Sequence, residues 1–283
     1  MNQPLVYSWQ EIVSRLSVAP RWQEAAKYLT RSEKMNGLKL QGIWSILDEG
    51  WQEVEDKIKT SKYELSELLY EYYQHPVWLI NAAFSESDES TISDRLAAVR
   101  LISHVQLSKI LDFGGGIGTV SRLCSINLPQ AEKIDLVDIT EFRHIIQQHL
   151  ADFKNIRILE KPEPLYDAVI STEVLEHLID PIEAMIEINR LLRIGGAFAG
   201  SWSFGPCIQC HLPQNFHLRS LMFWIIRSLG FGFYGFERRG NTVYGFVKTS
   251  DVTLQMRRNA RLIEFCARLP IPLDRLLLML RGL

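Results

Sequence analysis

The stretch Ile110-Leu111-Asp112-Phe113-Gly114-Gly115-Gly116-Ile117-Gly118-Thr119 constrains this chain more than any other segment. A short apolar run leads into clustered glycines, and a helical pattern follows in Val120, Leu123 and Cys124. Glycines at a strand-to-helix junction let the backbone approach a ligand where side chains would collide. An acidic residue, Asp138, closes the next apolar run about 20 residues later, where its carboxylate can accept hydrogen bonds from ribose hydroxyls. A glycine turn alone says little; paired with Asp138 it is the signal of a fold that binds a nucleoside cofactor.

From Lys109 onwards the chain alternates short apolar runs with helical patterns, the signature of a parallel sheet covered on both faces. The predicted strands are 110–113, 134–137, 156–159, 168–171 and 197–200. Asp180-Pro181-Ile182-Glu183 reads as a helix start, with Asp180 as N-cap, Pro181 in the first turn and Glu183 closing a capping box. That helix should bury Ile182, Met185, Ile186 and Leu192 and stop at Gly195-Gly196. Two more strands, 231–236 and 243–247, flank Arg239-Gly240-Asn241 and form a hairpin. The expected fold class is α/β, a doubly wound mixed seven-stranded sheet. Before it, up to about residue 84, apolar residues recur at helical spacing (Trp22, Ala25, Ala26, Leu29; Leu65, Leu68, Leu69, Tyr72) and no convincing strand appears. Five tryptophans fall there, and they read as an aromatic core or, alternatively, as a substrate lid. The polar run Ser85–Ser90 reads as a solvated loop before a helix starting around Thr91–Asp94. The domain expectation is a helical cap or acceptor-side domain at 1–90, a cofactor-binding domain at 91–250 and a helical tail at 251–283.

The cofactor is narrowed by what is missing. A dinucleotide fingerprint starting at Gly114 and Gly116 needs a third glycine at 119, which is Thr119, and there is no Gly-Lys-Ser/Thr for a phosphate-cradling loop. Asp112, two residues before Gly114, places a carboxylate beside the glycines, which suits a cationic ligand without a pyrophosphate. S-adenosylmethionine, with its amino group and sulfonium, fits that description.

On these residues the sequence resembles the class I S-adenosylmethionine-dependent methyltransferases, whose Rossmann-like sheet the alternation above matches. Their first motif, Asp/Glu-x-Gly-x-Gly-x-Gly, is matched by Asp112, Gly114, Gly116 and Gly118, and their second by Asp138. The segment from Leu165 to Leu178, followed by Asp180-Pro181 and by Arg190-Leu191-Leu192-Arg193-Ile194-Gly195-Gly196, is similar to the branch that modifies small molecules. The resemblance covers roughly residues 95 to 250 and implies cofactor contacts at Asp112, Gly114, Gly116, Gly118, Asp138 and the adjoining Ile139. It departs from the family after the third strand, where an Asp near the adenine is often found and Glu160 is the only substitute here. Ser171 and Thr172, at the carboxyl end of their strand, are expected to line the methionine end of the cofactor.

His177 is the candidate catalytic base, four residues after Glu173 and so on the same face if the segment is helical; its reference pKa of about 6.5 suits that task. A structural histidine held by hydrogen bonds is the alternative. Cys207-Ile208-Gln209-Cys210-His211 matches a c-type haem attachment pattern, and with His217 it could be written as a zinc site. Both are set aside, because haem attachment requires export and the segment falls where the family places acceptor-side loops; no metal is expected.

With 31 basic against 33 acidic residues in 283, a formal charge of −2 and a hydrophobic fraction of 47%, the chain reads as a globular protein that does not grip nucleic acid. Four cysteines are too few for a disulfide framework. The N-terminus lacks a signal sequence and no run reaches the ~20 apolar residues of a membrane span, so the expected location is cytoplasmic. The arginine-rich tail (Arg257, Arg258, Arg261, Arg268, Arg275, Arg281), ending in the apolar stretch Leu273–Leu280, reads as packing on the N-terminal helices or on a second subunit in a homodimer. Peripheral contact with an anionic membrane is the alternative. The expected function is methyl transfer from S-adenosylmethionine to a small organic acceptor in a biosynthetic pathway. Two alternatives stay open: transfer of the 3-amino-3-carboxypropyl group within S-adenosylmethionine, releasing methylthioadenosine, and a nucleoside-binding module without turnover.

Overall fold

The computed structural model describes residues 4–58, 64–139 and 142–268. Strands β1 (Lys109–Phe113), β2 (Lys133–Val137), β3 (Ile156–Leu159), β4 (Tyr166–Thr172), β5 (Leu192–Ser201), β6 (Phe231–Arg238) and β7 (Thr242–Lys248) form one sheet in the order β3-β2-β1-β4-β5-β7-β6. The first five run parallel, and β7 inserts antiparallel between β5 and β6. The strand order reverses between β1 and β4, which opens a crevice at their carboxyl ends. The glycine turn after β1 and Ser171-Thr172 at the end of β4 flank that crevice.

Helices α1 (Trp9–Leu16), α2 (Trp22–Ala25), α3 (Arg31–Asn36), α4 (Leu40–Ile58), α5 (Leu65–Tyr73) and α6 (Val77–Ser87) precede the sheet. Apart from α3, which buries no residue, their apolar faces share one core with Ile117 of the glycine turn, Leu136 of β2 and Ile208, Cys210 and Leu212 of the segment after β5. The aromatic residues there are mostly core, as Tyr72 illustrates: its ring packs edge-on against Trp51 and Trp78, and its hydroxyl donates to the Leu47 carbonyl at 3.0 Å. Helices α7 (Glu89–Ile102), α8 (Thr119–Asn127), α9 (Arg143–His149), α10 (Pro181–Leu191), α11 (Met222–Ser228) and α12 (Leu254–Ala267) complete the layers.

Three local expectations are corrected. Ser85–Ser90 is not a solvated loop: α6 runs through Ser87, Asp88 alone breaks it, and Asp88 caps α7 by accepting from the Thr91 N–H at 2.8 Å. Glu86 within that run is fully buried, paired with Arg122 and 3.2 Å from His149 Nε2. Helix α10 begins as expected at the Asp180 cap, but it stops at Leu191, and Gly195 and Gly196 lie inside β5. Glu183 forms no capping box; it pairs with Arg257 and Arg261 of α12. The described part of the tail, α12, packs on α10 and α11, with Ala260 and Ile263 in their shared core. The stretch Leu273–Leu280, with Arg275 and Arg281, lies outside the described residues. Among the described residues no helix is long and apolar enough to cross a membrane.

Candidate active site

The turn after β1 is shaped by glycines at positive φ: Gly114 at 72°, Gly116 at 55° and Gly118 at 90°. They are required for different reasons. A Cβ at Gly114 would meet the Val174 side chain at 2.7 Å and one at Gly118 would meet Leu150 at 2.6 Å, so packing excludes side chains at both. At Gly116 nothing lies within 4 Å of the Cβ position. Its bare backbone faces the crevice, where a ligand can come close. The Gly116 N–H donates to Asp138 Oδ2 at 2.8 Å, which ties the carboxylate to the turn. Ile139 beside it is 60% exposed, an apolar surface at the rim.

Asp112 is buried beneath the turn and accepts from the Ser121 N–H at 2.9 Å and from its hydroxyl at 2.7 Å. Burial pushes its pKa up to about 6, against the pull of these hydrogen bonds. In this arrangement Asp112 anchors the first turn of α8 and so holds the glycines in place.

Across the crevice, Ser171 is buried and its hydroxyl has no partner; Thr172 is half-buried beside it. The chain then kinks at Glu173, a non-glycine residue at φ 54°, into a single helical turn, Leu175–His177. This kink takes Glu173 off the helical turn, so the expected shared face with His177 does not form. Glu173 instead meets Glu176, whose Oε1 accepts from the Ser203 N–H at 3.0 Å. Buried Glu173 Oε1 and Glu176 Oε2 receive no hydrogen bond from any other group. Burial, and for Glu176 also the neighbouring carboxylate, drives both pKa values up.

His177 lies with Nδ1 3.3 Å from the Cys210 carbonyl, its ring edge-on to His211 at 4.8 Å and to Tyr73 at 6.2 Å. Burial, and then the neighbouring His211, pushes its pKa down to about 3, so it does not titrate near 6.5 as the sequence suggests. His211 donates from Nδ1 to the Gly205 carbonyl at 2.9 Å; burial lowers its pKa against the Gly205 and Ser203 carbonyls.

The N-terminal helices roof this constellation. Gln74 donates to the Ile139 carbonyl at 3.0 Å, and Asp48 accepts from the Gln209 N–H at 2.7 Å, so the cap is bonded to both rims of the crevice. Tyr73 and Trp78 pack with ring centroids 5.0 Å apart at a tilt of 40°, and their polar atoms, the Tyr73 hydroxyl and Trp78 Nε1, are buried without partners. Burial, and then the neighbouring Cys210, Glu176 and Asp138, raises the Tyr73 pKa.

Two sequence candidates fall away from this centre. Glu160 is 85% exposed and faces Arg143 at 3.8 Å. Cys207 is exposed while Cys210 is buried, and neither is in a disulfide. Sequence reasoning gave no role to Tyr73 or Glu176 and set His211 aside with the Cys207–His211 pattern; the cap and the post-β5 segment bring Tyr73 and His211 to His177, which Glu176 adjoins in the chain.

A parallel run of strands whose order reverses, with a glycine turn tied to the carboxylate that follows the second strand, defines a Rossmann-like fold. A family profile described as a methyltransferase domain matches residues 84–224. The chain is a class I S-adenosylmethionine-dependent methyltransferase, and its cofactor is S-adenosylmethionine. The fold is similar to that of human N-acetylserotonin methyltransferase in complex with S-adenosylmethionine, at TM-score 0.53 and 18% identity, over 80% of this chain and 70% of that one. It is also similar to an O-methyltransferase family protein from Burkholderia thailandensis, at TM-score 0.52 and 13% identity, over 86% of this chain and 89% of that one. No curated protein matches the chain by sequence.

Proposed function

We propose that the chain transfers a methyl group to a small organic acceptor held between the helical cap and the carboxyl end of the sheet. The observation that carries this reading is the cluster of Tyr73, Trp78 and His177 beneath the cap, where two buried polar atoms, the Tyr73 hydroxyl and Trp78 Nε1, lack partners. Unpartnered buried donors are costly, at about 1–3 kcal/mol each, and a bound acceptor that satisfies them removes that cost. A site closed by helices bonded to both rims suits a small molecule better than a polymer, and the balanced net charge of −2 supplies no electrostatic grip for nucleic acid.

S-adenosylmethionine supplies a methyl group activated by its sulfonium. Asp138 and the Gly116 backbone receive the ribose, Ile139 offers an apolar surface at the rim, and Ser171 and Thr172 line the methionine end. Gly114 and Gly118 keep the turn closed, and Asp112 holds it from below. Tyr73 and Trp78 orient the acceptor while the cap excludes water, so that alignment supplies much of the rate. His177, neutral throughout the physiological range, acts by orienting the acceptor through its ring rather than by storing a proton.

Incubation of the protein with methyl-labelled S-adenosylmethionine and a pool of small metabolites should release S-adenosylhomocysteine and leave the label in a small molecule. Label recovered in RNA, or methylthioadenosine released without a labelled acceptor, would overturn this reading.

A further inference from the structure

Beside the cofactor crevice, one ligand atom each from Glu176, His177 and His211 lies within 4.8 Å of the other two. The hydrogen bonds around them determine which atoms are left over. His211 gives its Nδ1 proton to the Gly205 carbonyl at 2.9 Å, and His177 Nδ1 sits 3.3 Å from the Cys210 carbonyl. An imidazole that donates from Nδ1 to a carbonyl presents the lone pair of Nε2, the arrangement in which metal-bound histidines are held. Glu176 is 1% exposed; its Oε1 is occupied by the Ser203 N–H, whereas Oε2 has no donor. Two imidazoles and the Glu176 carboxyl thus lie together, with Glu176 Oε2 left unpartnered. Glu173 Oε1, also buried and unpartnered, adds a second acidic group next to Glu176. Two carboxyl groups with unpartnered buried oxygens and two imidazoles are thus gathered at one place, a concentration of metal-ligating groups that a cation would satisfy.

We propose that Glu176, His177 and His211 bind a divalent transition-metal cation of the zinc or manganese type at the acceptor side of the crevice. Two nitrogens and one oxygen are the donor set of catalytic zinc sites that keep a fourth position open. A ligand oxygen taking that position would have its proton released more readily, because the cation stabilises the anion. His177 then orients the acceptor through the ion. The glycine turn and Asp138 take no part, so the cation site and the cofactor site are separable. The proposal rests on reading this side of the crevice as the acceptor side, and it replaces the sequence expectation of no metal.

The test reads metal uptake without any acceptor present. Full-length protein, stripped with a chelator and dialysed, is titrated with Zn²⁺ and Mn²⁺ by calorimetry and with Co²⁺ by visible absorption. One ion per chain is expected, with the intense visible bands of four-coordinate cobalt. His211→Ala and Glu176→Gln should each weaken uptake by at least about tenfold, while calorimetry shows S-adenosylmethionine binding retained as the sign that the fold is intact. Should either variant fail to bind the cofactor, the cobalt spectrum of the unmodified protein decides. A protein that binds S-adenosylmethionine but takes up no ion, or whose uptake is unchanged in intact variants, would overturn the metal site and leave the methyl-transfer reading standing. Ion uptake without methyl transfer to any small molecule would support the site and count against that reading alone.

Discussion

The three positive-φ glycines illustrate how one residue type does different work within a single turn. At Gly118 an added methyl collides with Leu150 and Leu136, so Gly118→Ala should lower the melting temperature more than Gly116→Ala. Gly116→Ala faces open space and should cost about 1–2 kcal/mol of backbone strain together with a marked loss of cofactor affinity. Thermal melts and calorimetric titration of both variants separate the two effects, and equal loss of stability would contradict the packing described. Asp138→Ala should weaken S-adenosylmethionine binding by about 1–3 kcal/mol with folding retained; an unchanged dissociation constant would remove Asp138 from the ribose. Asp112 predicts a pH dependence. Its folded pKa, about 6, lies above the ordinary carboxylate value, so its contribution to stability is fully present below that ordinary value and is lost as pH rises through about 6. Asp112→Asn should flatten that part of the stability–pH curve while keeping an acceptor for Ser121. The glycines and Asp138 were legible in sequence because their spacing is local. The partnership of Asp112 with Ser121 was not, since it depends on the first turn of α8 folding back over the strand.

Among the elements, the junction of α6 and α8 holds the charge cluster that the sequence hid. Arg122 donates to Glu86 and also to the carbonyls of Pro4 at 2.6 Å and Leu5 at 2.9 Å. Removing one partner leaves an uncompensated buried charge, so Glu86→Ala should cost about 3–5 kcal/mol, measured by denaturant unfolding. Burial opposes the charge on Glu86, but the hydrogen bond from His149 and the Arg122 guanidinium outweigh it and hold the pKa below the usual value. Its stabilisation is therefore present above the unfolded carboxylate pKa and lost as pH falls through the lower folded value, a loss that Glu86→Gln should not show. By contrast, the α10–α12 pairs are part-exposed, and Arg261→Ala should change stability by no more than about 1 kcal/mol. The central parallel strands were legible because burial on both faces leaves continuous apolar runs, and β6 and β7 because Arg239-Gly240-Asn241 separates two aromatic-rich runs. Ser85–Ser90 misled for a physical reason: a run of Ser, Glu and Asp looks solvated unless the arginine that neutralises it, here 36 positions away from Glu86, is known to fold against it. The end of α10 was displaced in the same way, because β5 starts as soon as Leu192 can pair with Tyr166.

At the scale of the whole molecule, the cap and the sheet share one apolar core, at whose edge the unpartnered Tyr73 hydroxyl and Trp78 Nε1 form a polar seam. Tyr73→Phe isolates that seam. Because the Tyr73 hydroxyl has no partner, its removal should leave stability unchanged or slightly higher, yet raise the KM for the acceptor about tenfold; an unchanged KM would take Tyr73 out of the acceptor site. Sequence periodicity announced the cap as helices but could not say what it covers, since its bonds to the crevice rims join residues far apart in the chain, such as Asp48 to Gln209. Arg122 carries a consequence of its own. It sits on α8, the helix that begins at the cofactor turn, and its guanidinium clasps the backbone leading into the first cap helix. Occupancy of the turn and seating of the roof are thus two readings of one joint. By reciprocity of linked equilibria, whatever factor the cofactor adds to acceptor affinity, the acceptor must return to the cofactor; loosening the clasp with Arg122→Lys should shrink both factors together.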